Sequence, residues 1–354
     1  MKIGIIGKSG SGKTTLFNSL TGQSLQTGGS ARVTHLAAVK VPDPRLDKLQ
    51  EVTGRKNKTK AEIVFSDVAG GFSRPNRQHG LDAELAGMMK PFEAFAMVVA
   101  DFPEYAMGQE GDTNPLSDAR EMESDLVLAD LMVVEAKFER MKREVVSEIM
   151  KKALEKCRDA LEEGKPLRLV EFNDSEEAII SGFTFLSKKP ALIILNVGED
   201  KIGEAAPDEF LAYAEERGVE LISISAKIEM EIAQMDTADR AEFLEEIGLD
   251  EPALDRFVCA SYAACSLMSF FTCGPGGPDE ARAWTIKRDL TAFGAAGKIH
   301  SDIQRGFIRA EVIAWDDLVD LGGLDEAKAK GKIRLEGKEY VVKDGEIVHF
   351  RFNV

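Results

Sequence analysis

Gly7-Lys8-Ser9-Gly10-Ser11-Gly12-Lys13-Thr14 follows a short apolar run over residues 2–6. The stretch matches the phosphate-loop pattern G-x-x-x-x-G-K-S/T at every position. Its glycines let the backbone curl until amide groups face a bound phosphate, and the following helix presents its positive end to the same anion. The sequence therefore predicts a strand, a phosphate loop and a helix over 13–20, which open an α/β nucleotide-binding domain.

The polar positions of this loop have distinct expected roles. Lys13 should reach the β- and γ-phosphates, and the Thr14 hydroxyl should ligate Mg²⁺. Lys13 is therefore expected to take part in catalysis as well as in binding. The residues expected to bind nucleotide here are Gly7, Gly10, Ser11, Gly12, Lys13, Thr14 and Thr15.

A second apolar strand, over 62–66, runs into Asp67-Val68-Ala69-Gly70. This is the D-x-x-G arrangement of nucleotide switches, in which the carboxylate holds Mg²⁺ and the glycine amide senses the γ-phosphate. Asp67 is thus the second expected metal residue, and Gly70 is expected to join Lys13 in catalysis. Alone, the pattern also describes a strand-end turn, but its place about fifty residues after a phosphate loop favours a switch.

Two further motifs follow strands over 190–196 and 220–225. Asn196-Val197-Gly198-Glu199 stands where G-proteins carry N-K-x-D, and Ser225-Ala226-Lys227 stands where they carry S-A-K. The expected base-binding residues are Asn196, Val197, Glu199, Ser225, Ala226 and Lys227. Glutamate is one methylene longer than the aspartate that pairs with guanine, so this motif favours ATP over GTP. With another apolar strand over 94–100, the pattern predicts a mostly parallel sheet covered on both faces.

A long segment separates the strands over 94–100 and 190–196. From Leu131 to Ile149, apolar residues recur every three or four positions among charged ones, which predicts an amphipathic helix ending at Gly164-Lys165-Pro166. A second helical segment follows, with Asp174 or Ser175 as its cap. Together they predict a helical hairpin. Two interpretations stay open: an arm that binds protein or RNA, or a structural insertion.

The composition of the chain changes after Cys273. A Gly/Pro cluster over 274–278 precedes strand-like runs over 282–286, 338–342 and 347–352, which indicate a small α+β domain of about eighty residues. The net charge of −16 argues against wholesale wrapping of nucleic acid. Local charges of +4 over 281–310 and over 40–60 fit either an RNA contact or a solvated surface.

No apolar run is long enough to cross a membrane, and the N-terminal residues do not form a signal peptide. A cytoplasmic protein is therefore expected. The four cysteines lack C-x-x-C spacing, so reduced thiols and no zinc site are expected.

Taken together, these motifs resemble the Obg-like ATPase family, also called YchF. The resemblance is carried by the stretches at 41–49, 196–200, 282–286, 296–300, 305–310 and 342–346, and it covers essentially the whole chain. It implies a G-like P-loop domain over 1–110 and 186–273, an inserted helical arm over 111–185, and a β-grasp-like TGS domain over 278–354. It also implies ATP and Mg²⁺ as cofactors, a ribosome or structured RNA as the partner of the TGS domain, and a monomer.

The chain departs from the family pattern at several positions. The family's usual loop is G-x-P-N-V-G-K-S, and the threonine of its first switch is replaced by Ala31, with Ser30 and Thr34 nearby. Gly71 stands where the family has an apolar residue, and no histidine lies between Tyr105 and Asn114. The chain thus resembles a divergent paralogue, with slow hydrolysis that needs a partner. A non-catalytic ATP-dependent binding module and a translation-associated GTPase are the alternatives.

Overall fold

The structure is a computed structural model and describes residues 1–25, 34–68, 72, 81–106, 114–144, 146–274 and 279–353. The chain divides into two compact units. The first unit comprises Met1–Val39 and Val64–Ser261, and the second comprises Lys40–Ile63 and Tyr262–Val354.

The strands are β1 (Lys2–Gly7), β2 (His35–Lys40), β3 (Asn57–Thr59), β4 (Glu62–Asp67), β5 (Ala94–Asp101), β6 (Ala191–Val197), β7 (Glu220–Ile224), β8 (Leu267–Thr272), β9 (Glu280–Lys287), β10 (Phe307–Ile313), β11 (Arg334–Glu336) and β12 (Ile347–Phe352). The helices are α1 (Lys13–Thr21), α2 (Pro44–Thr53), α3 (Ala83–Met89), α4 (Pro103–Ala106), α5 (Pro115–Met141), α6 (Glu148–Glu162), α7 (Asp174–Ile180), α8 (Asp208–Glu216), α9 (Ala226–Gln234), α10 (Thr237–Glu246), α11 (Ala253–Ala264), α12 (Ala292–Ile299), α13 (Ser301–Arg305), α14 (Trp315–Leu321) and α15 (Leu324–Ala329).

The first sheet has the strand order β2-β4-β1-β5-β6-β7 within the described residues. Strand β1 runs parallel to both neighbours, with Ile5 opposite Asp67 on one side and Ala96 on the other. Asn196 in β6 likewise lies opposite Ala100 in β5 and Ile224 in β7. Because parallel strands end at the same edge, the phosphate loop, Asp67 and the residues 196–199, here called the base motif, meet at the carboxyl ends of the strands. The predicted strands of this sheet all form.

The helical arm differs from the prediction in where the chain turns. The expected helix through Ile149 to Gly164 is two helices, because α5 ends at Met141 and α6 begins after its cap Ser147, which accepts from the Met150 amide at 3.2 Å. The hairpin is therefore formed by α5 and α6, and the later helix α7 is capped by Asn173 rather than by Asp174 or Ser175. The arm has its own apolar core, which includes Val127, Val134, Leu154, Cys157, Leu161 and Phe185.

The second unit carries a mixed sheet of order β11-β10-β12-β8-β9-β3 within the residues described. The predicted strands over 282–286 and 347–352 form as β9 and β12. The predicted strand over 338–342 is wrong: these residues contribute a single bridge, Thr291 to Val341, and the Tyr340 carbonyl accepts from the Ala292 amide at the start of α12.

The second unit also begins earlier than the expected TGS domain. β8 pairs antiparallel with β9, with Phe271 opposite Ala283, and β3 pairs parallel with β9, with Asn57 opposite Glu280. Residues 40–63 and 262–273, which the expected boundaries assign to the nucleotide-binding domain, therefore belong to the second unit. Among the described helices, none combines the length and the apolar character that a membrane span requires.

Candidate nucleotide-binding site

At two positions of the phosphate loop, the close approach of a neighbouring atom leaves room only for glycine. A Cβ on Gly7 would lie 2.4 Å from the Val98 carbonyl oxygen, and a Cβ on Gly12 would lie 2.1 Å from Asn196 Nδ2. Gly12 also has a left-handed backbone, with φ of 93°. The motif glycines are thus required by close approach and by conformation.

Lys13 opens helix α1 and is buried, with 8% of its surface exposed. Its ammonium group donates a hydrogen bond of 2.7 Å to the Lys8 carbonyl. Burial lowers the pKa of Lys13 to about 8, although the charge of Asp67 acts in the opposite direction. No side chain caps the amides of α1 at Gly12, so the helix presents its positive end, with a buried cation beside it, to an incoming phosphate.

Thr14 and Asp67 form the part of the site that suits a metal. Thr14 Oγ1 donates to Asp67 Oδ2 at 2.8 Å, and Asp67 is only 4% exposed. The second carboxylate oxygen, Oδ1, is buried and has no hydrogen-bond partner among the described residues. A hydroxyl and an orphaned carboxylate oxygen are hard oxygen ligands, so this pair fits Mg²⁺ directly or through water.

Asn196 joins the base motif to the phosphate loop. Its Nδ2 donates to the Ser11 carbonyl at 2.9 Å, and its Oδ1 accepts from the Ala226 amide at 3.0 Å. The residue is 6% exposed, so both bonds are shielded from water. The side chain that the sequence assigned to the base therefore also fixes the distance between three motifs.

The outer part of the base site is more exposed. Glu199 forms an ion pair with Lys227, and about half of the Glu199 side chain and two thirds of the Lys227 side chain are exposed. Val197 and Ser225 are buried at the ends of β6 and β7, with 7% exposure each. The carboxylate at the guanine-reading position is thus bound to the lysine of the S-A-K motif.

The structure brings most of the expected site residues together, with some outside its described part. Gly10, Ser11 and Thr15 lie in the loop and in the first turn of α1. Gly70 lies outside the described residues, as do Gly71, Ser30 and Ala31 of the two switches. Thr34 immediately precedes β2.

Sequence reasoning missed the side chain of Lys8. It forms ion pairs with Asp118 and Glu121 in the first two turns of α5. The available signal was weak: two acidic residues three positions apart near the start of a helix, and a lysine at a variable position of the loop.

Two family models match the chain. One, described as a 50S ribosome-binding GTPase, matches residues 2–153. The other is the C-terminal model of the YchF GTPases, described as a protein of unknown function, and it matches residues 267–353. Each match coincides with a region where the sequence carries the resemblance, and together they span well over half of the chain.

Full-length relatives agree with these matches. The chain is 37% identical to the ribosome-binding ATPase YchF of Bacillus subtilis, over 99% of both chains, and 36% identical to that of Escherichia coli O157:H7, over 100% of this chain and 99% of the relative. The structure of the Schizosaccharomyces pombe YchF GTPase superimposes with a TM-score of 0.86 at 27% identity, covering 99% of this chain and 97% of that one. A GTP-binding protein from Pyrococcus horikoshii, with a TM-score of 0.57 and 17% identity, shares the fold.

These findings confirm the predicted fold class and a nucleoside triphosphate hydrolase of the P-loop type. With relatives above 30% identity along its whole length and family models at both ends, the chain belongs to the YchF family.

Proposed function

We propose that this chain is a slow, Mg²⁺-dependent ATPase whose nucleotide state controls its association with the ribosome. The observation that carries the proposal is the pair Thr14–Asp67 beside the buried Lys13, with Asp67 Oδ1 left without a partner among the described residues. A buried carboxylate oxygen without a hydrogen-bond partner lowers the stability of the folded chain unless a ligand binds to it.

The residues of the site have separate roles in phosphoryl transfer. Lys13 and the amides at the start of α1 bind the phosphates and stabilise the charge that develops on them. Thr14 and Asp67 would hold Mg²⁺, which would neutralise negative charge on the phosphates. The position that follows the D-x-x-G motif is Gly71, which has no side chain to orient an attacking water. Hydrolysis without a partner is therefore expected to be slow.

The base motif supports ATP as the preferred nucleotide. A carboxylate that reads guanine accepts from N1–H and from the exocyclic 2-amino group, and adenine has neither donor. Glu199 is one methylene longer than the usual aspartate, and its ion pair with Lys227 holds the carboxylate toward the first turn of α9. A guanine base would have to compete with that ion pair, whereas adenine does not need the carboxylate.

The second unit is the proposed ribosome contact. It holds 20 Lys and Arg against 18 Asp and Glu, although the whole chain carries a net charge of −16. Lys287, Arg288, Lys298, Arg305 and Arg309 are exposed, and Arg305 also pairs with Asp302 at 2.7 Å. The exposed basic side chains fit phosphate contacts. Relatives that match over the whole chain are named ribosome-binding ATPases.

We expect a monomer that acts in the cytoplasm, and a helical arm that either contacts a partner or serves as a structural insertion. The separate apolar core of the arm is compatible with both roles.

Single-turnover hydrolysis of ATP, with and without ribosomes, tests the proposal, with Lys13→Ala as the inactive control. Slow turnover that ribosomes accelerate supports it. Tight ATP binding without turnover in either condition would favour the non-catalytic binding module. Tighter displacement of a fluorescent ATP analogue by GTP than by ATP would favour the GTPase.

A further inference from the structure

Lys8 connects the phosphate loop to the arm through both ends of the residue. Its carbonyl oxygen accepts the hydrogen bond from Lys13 Nζ at 2.7 Å. Its own ammonium group donates to Asp118 Oδ1 at 2.7 Å and also pairs with Glu121. The residue that holds the phosphate-binding lysine is therefore itself held by helix α5.

The pair between Lys8 and Asp118 is shielded from water. The two side chains are 12% and 14% exposed, compared with 45% for Glu121. Burial alone would lower the pKa of Lys8, but the hydrogen bonds and charges of Asp118 and Glu121 outweigh it and raise the pKa above its ordinary value. Shielding from solvent strengthens the attraction relative to an exposed pair.

A second contact ties Asp118 to the same loop. The Tyr105 hydroxyl donates to Asp118 Oδ2 at 3.2 Å, and Tyr105 is 7% exposed. The Tyr105 ring lies 3.6 Å from the place that a Cβ on Gly10 would occupy. Asp118 is thus linked to the phosphate loop directly through Lys8 and indirectly through the ring that packs beside Gly10.

Helix α5 extends from this contact into the arm without a break. It comprises 27 residues, Pro115–Met141, and a helix of that length is about 40 Å long. Asp118 lies in its first turn, while Val134 is fully buried in the apolar core of the arm. A shift of Asp118 relative to the loop would therefore move the arm as part of one rigid element.

We propose that Lys8 is a positioning residue: its ion pair with Asp118 sets the place of Lys13 in the phosphate loop and couples nucleotide binding to the helical arm. The coupling runs in both directions. A partner that shifts α5 would change the place of Lys13, and phosphates that attract the Lys13 ammonium group away from the Lys8 carbonyl would change the restraint on α5. This inference rests on the proposed nucleotide site and adds a means of regulating it.

The test uses the full-length chain with four variants of the pair and one control variant. Lys8→Met removes the charge but keeps most of the length, Asp118→Asn keeps the shape of the acceptor, and a third variant combines the two. Lys8→Arg keeps the positive charge that Lys8→Met removes. Lys151→Met is the matched control, because Lys151 forms an exposed pair with Glu155 on arm helix α6.

Calorimetry with Mg²⁺ and ATP should show about tenfold weaker binding for Lys8→Met and for Asp118→Asn, within the coupling range of neighbouring charged residues. The double variant should be no weaker than the worse single one, because both changes remove the same interaction. Lys8→Arg and Lys151→Met should stay within threefold of the wild type.

Amide hydrogen exchange supplies a readout that a purely structural pair would not change. In the wild type, ATP should alter exchange in residues 127–141, and Lys8→Met at saturating ATP should lose this response. Binding within threefold of the wild type for Lys8→Met, independent losses that multiply in the double variant, or an arm that does not respond to ATP in the wild type would each overturn the proposal.

The experiment still tests the role of Lys8 if one variant is unstable or if the wild type prefers GTP. If Lys8→Met lowers the melting temperature so far that binding cannot be measured, Asp118→Asn and Lys8→Arg decide the question. If the wild type prefers GTP, the proposed ATPase function fails, while the same variants titrated with GTP still test Lys8.

Discussion

Asn196 Nδ2 donates a hydrogen bond of 2.9 Å to the carbonyl oxygen of Ser11, so the base motif is tied directly to the phosphate loop. The Asn196 oxygen accepts from the Ala226 amide at 3.0 Å, and the position of Gly12 leaves no room for a Cβ beside the Asn196 amide nitrogen. One side chain thus determines how the ends of β1, β6 and β7 fit together around a nucleotide.

We expect Asn196→Ala to weaken ATP and GTP alike. The change leaves the Ser11 carbonyl and the Ala226 amide buried without partners, at about 1–3 kcal/mol for each unsatisfied group. Part of this cost also lowers the stability of the free protein, so calorimetry should show an affinity loss of at least about tenfold for both nucleotides, which corresponds to about 1.4 kcal/mol. A loss confined to ATP would instead assign Asn196 to reading the base.

We expect Asp67→Asn to remove the benefit of Mg²⁺ for ATP binding. Asparagine keeps an oxygen near Thr14 but has no charge for the cation, and hydrogen bonds to charged groups contribute about 1.5–3 kcal/mol. Titration of ATP with Mg²⁺ should show a loss of about 10- to 100-fold. In EDTA the variant and the wild type should bind ATP equally, and a loss of the same size there would assign Asp67 a structural role.

We expect Glu199→Asp to shift preference toward GTP. The shorter side chain returns the carboxylate to the guanine-reading geometry and moves it away from Lys227, so the ratio of GTP to ATP affinity should rise about tenfold. Competition against a fluorescent ATP analogue measures the ratio. Glu204→Asp, in the same loop and exposed, is the matched control and should leave it unchanged.

Five of the six strands described for the first sheet could be predicted closely, because each is a largely apolar run and four of them lead into a motif. Strands β1, β5 and β6, for example, begin and end within one residue of the expected bounds. Strand β2 was missed, because its residues alternate between partly buried and exposed positions and no motif follows it. The turn between α5 and α6 was missed for a physical reason. No Gly or Pro marks it, and the apolar spacing continues from Met141 to Ile149 across the turn, so only the cap Ser147 distinguishes two helices from one.

Long-range pairings could not be predicted. Lys8 meets Asp118 across 110 residues, and Asn57 meets Glu280 across more than 200, so neither contact has a local pattern. The assignment of residues 40–63 to the second unit depends on such a pairing. The residue types of the site were visible in the sequence, whereas the restraints between them required the structure.

We expect Lys287→Glu combined with Arg288→Glu to weaken ribosome binding. Both side chains are exposed at the end of β9, and contacts between basic residues and phosphates make binding depend on salt. Co-sedimentation over a series of salt concentrations should show weaker binding and a slope reduced by about one for each lost contact.

The control for the ribosome experiment is the equivalent change on the arm, Lys151→Glu with Lys152→Glu, where both side chains are exposed on α6. If only the arm variant weakens binding, the ribosome contact lies on the arm and not on the second unit. Equal weakening by both pairs would indicate attraction to net charge rather than a defined contact.

Asp130 is a buried residue of α5 that anchors the arm where the chain returns to the sheet. Its carboxylate accepts from the amides of Leu186 and Ser187 at 2.8 and 2.7 Å. Burial raises the pKa of Asp130 to about 6 from an ordinary value of 3.8, although these hydrogen bonds oppose the shift. The folded state therefore keeps a proton on Asp130 that the unfolded state releases between about pH 4 and pH 6.

The stabilisation of the folded state that comes from the raised pKa of Asp130 is fully present below pH 3.8 and is lost as the pH rises through about 6. Asparagine does not titrate, so the free energy of unfolding of the wild type relative to Asp130→Asn should fall by about 2 kcal/mol from pH 4.5 to pH 7.5. Urea denaturation at both pH values measures the difference, and Asp159→Asn, exposed on α6, is the control. A difference between the wild type and Asp130→Asn that does not change with pH would mean that Asp130 is ionised throughout, because the two amides then outweigh the cost of burying the charge.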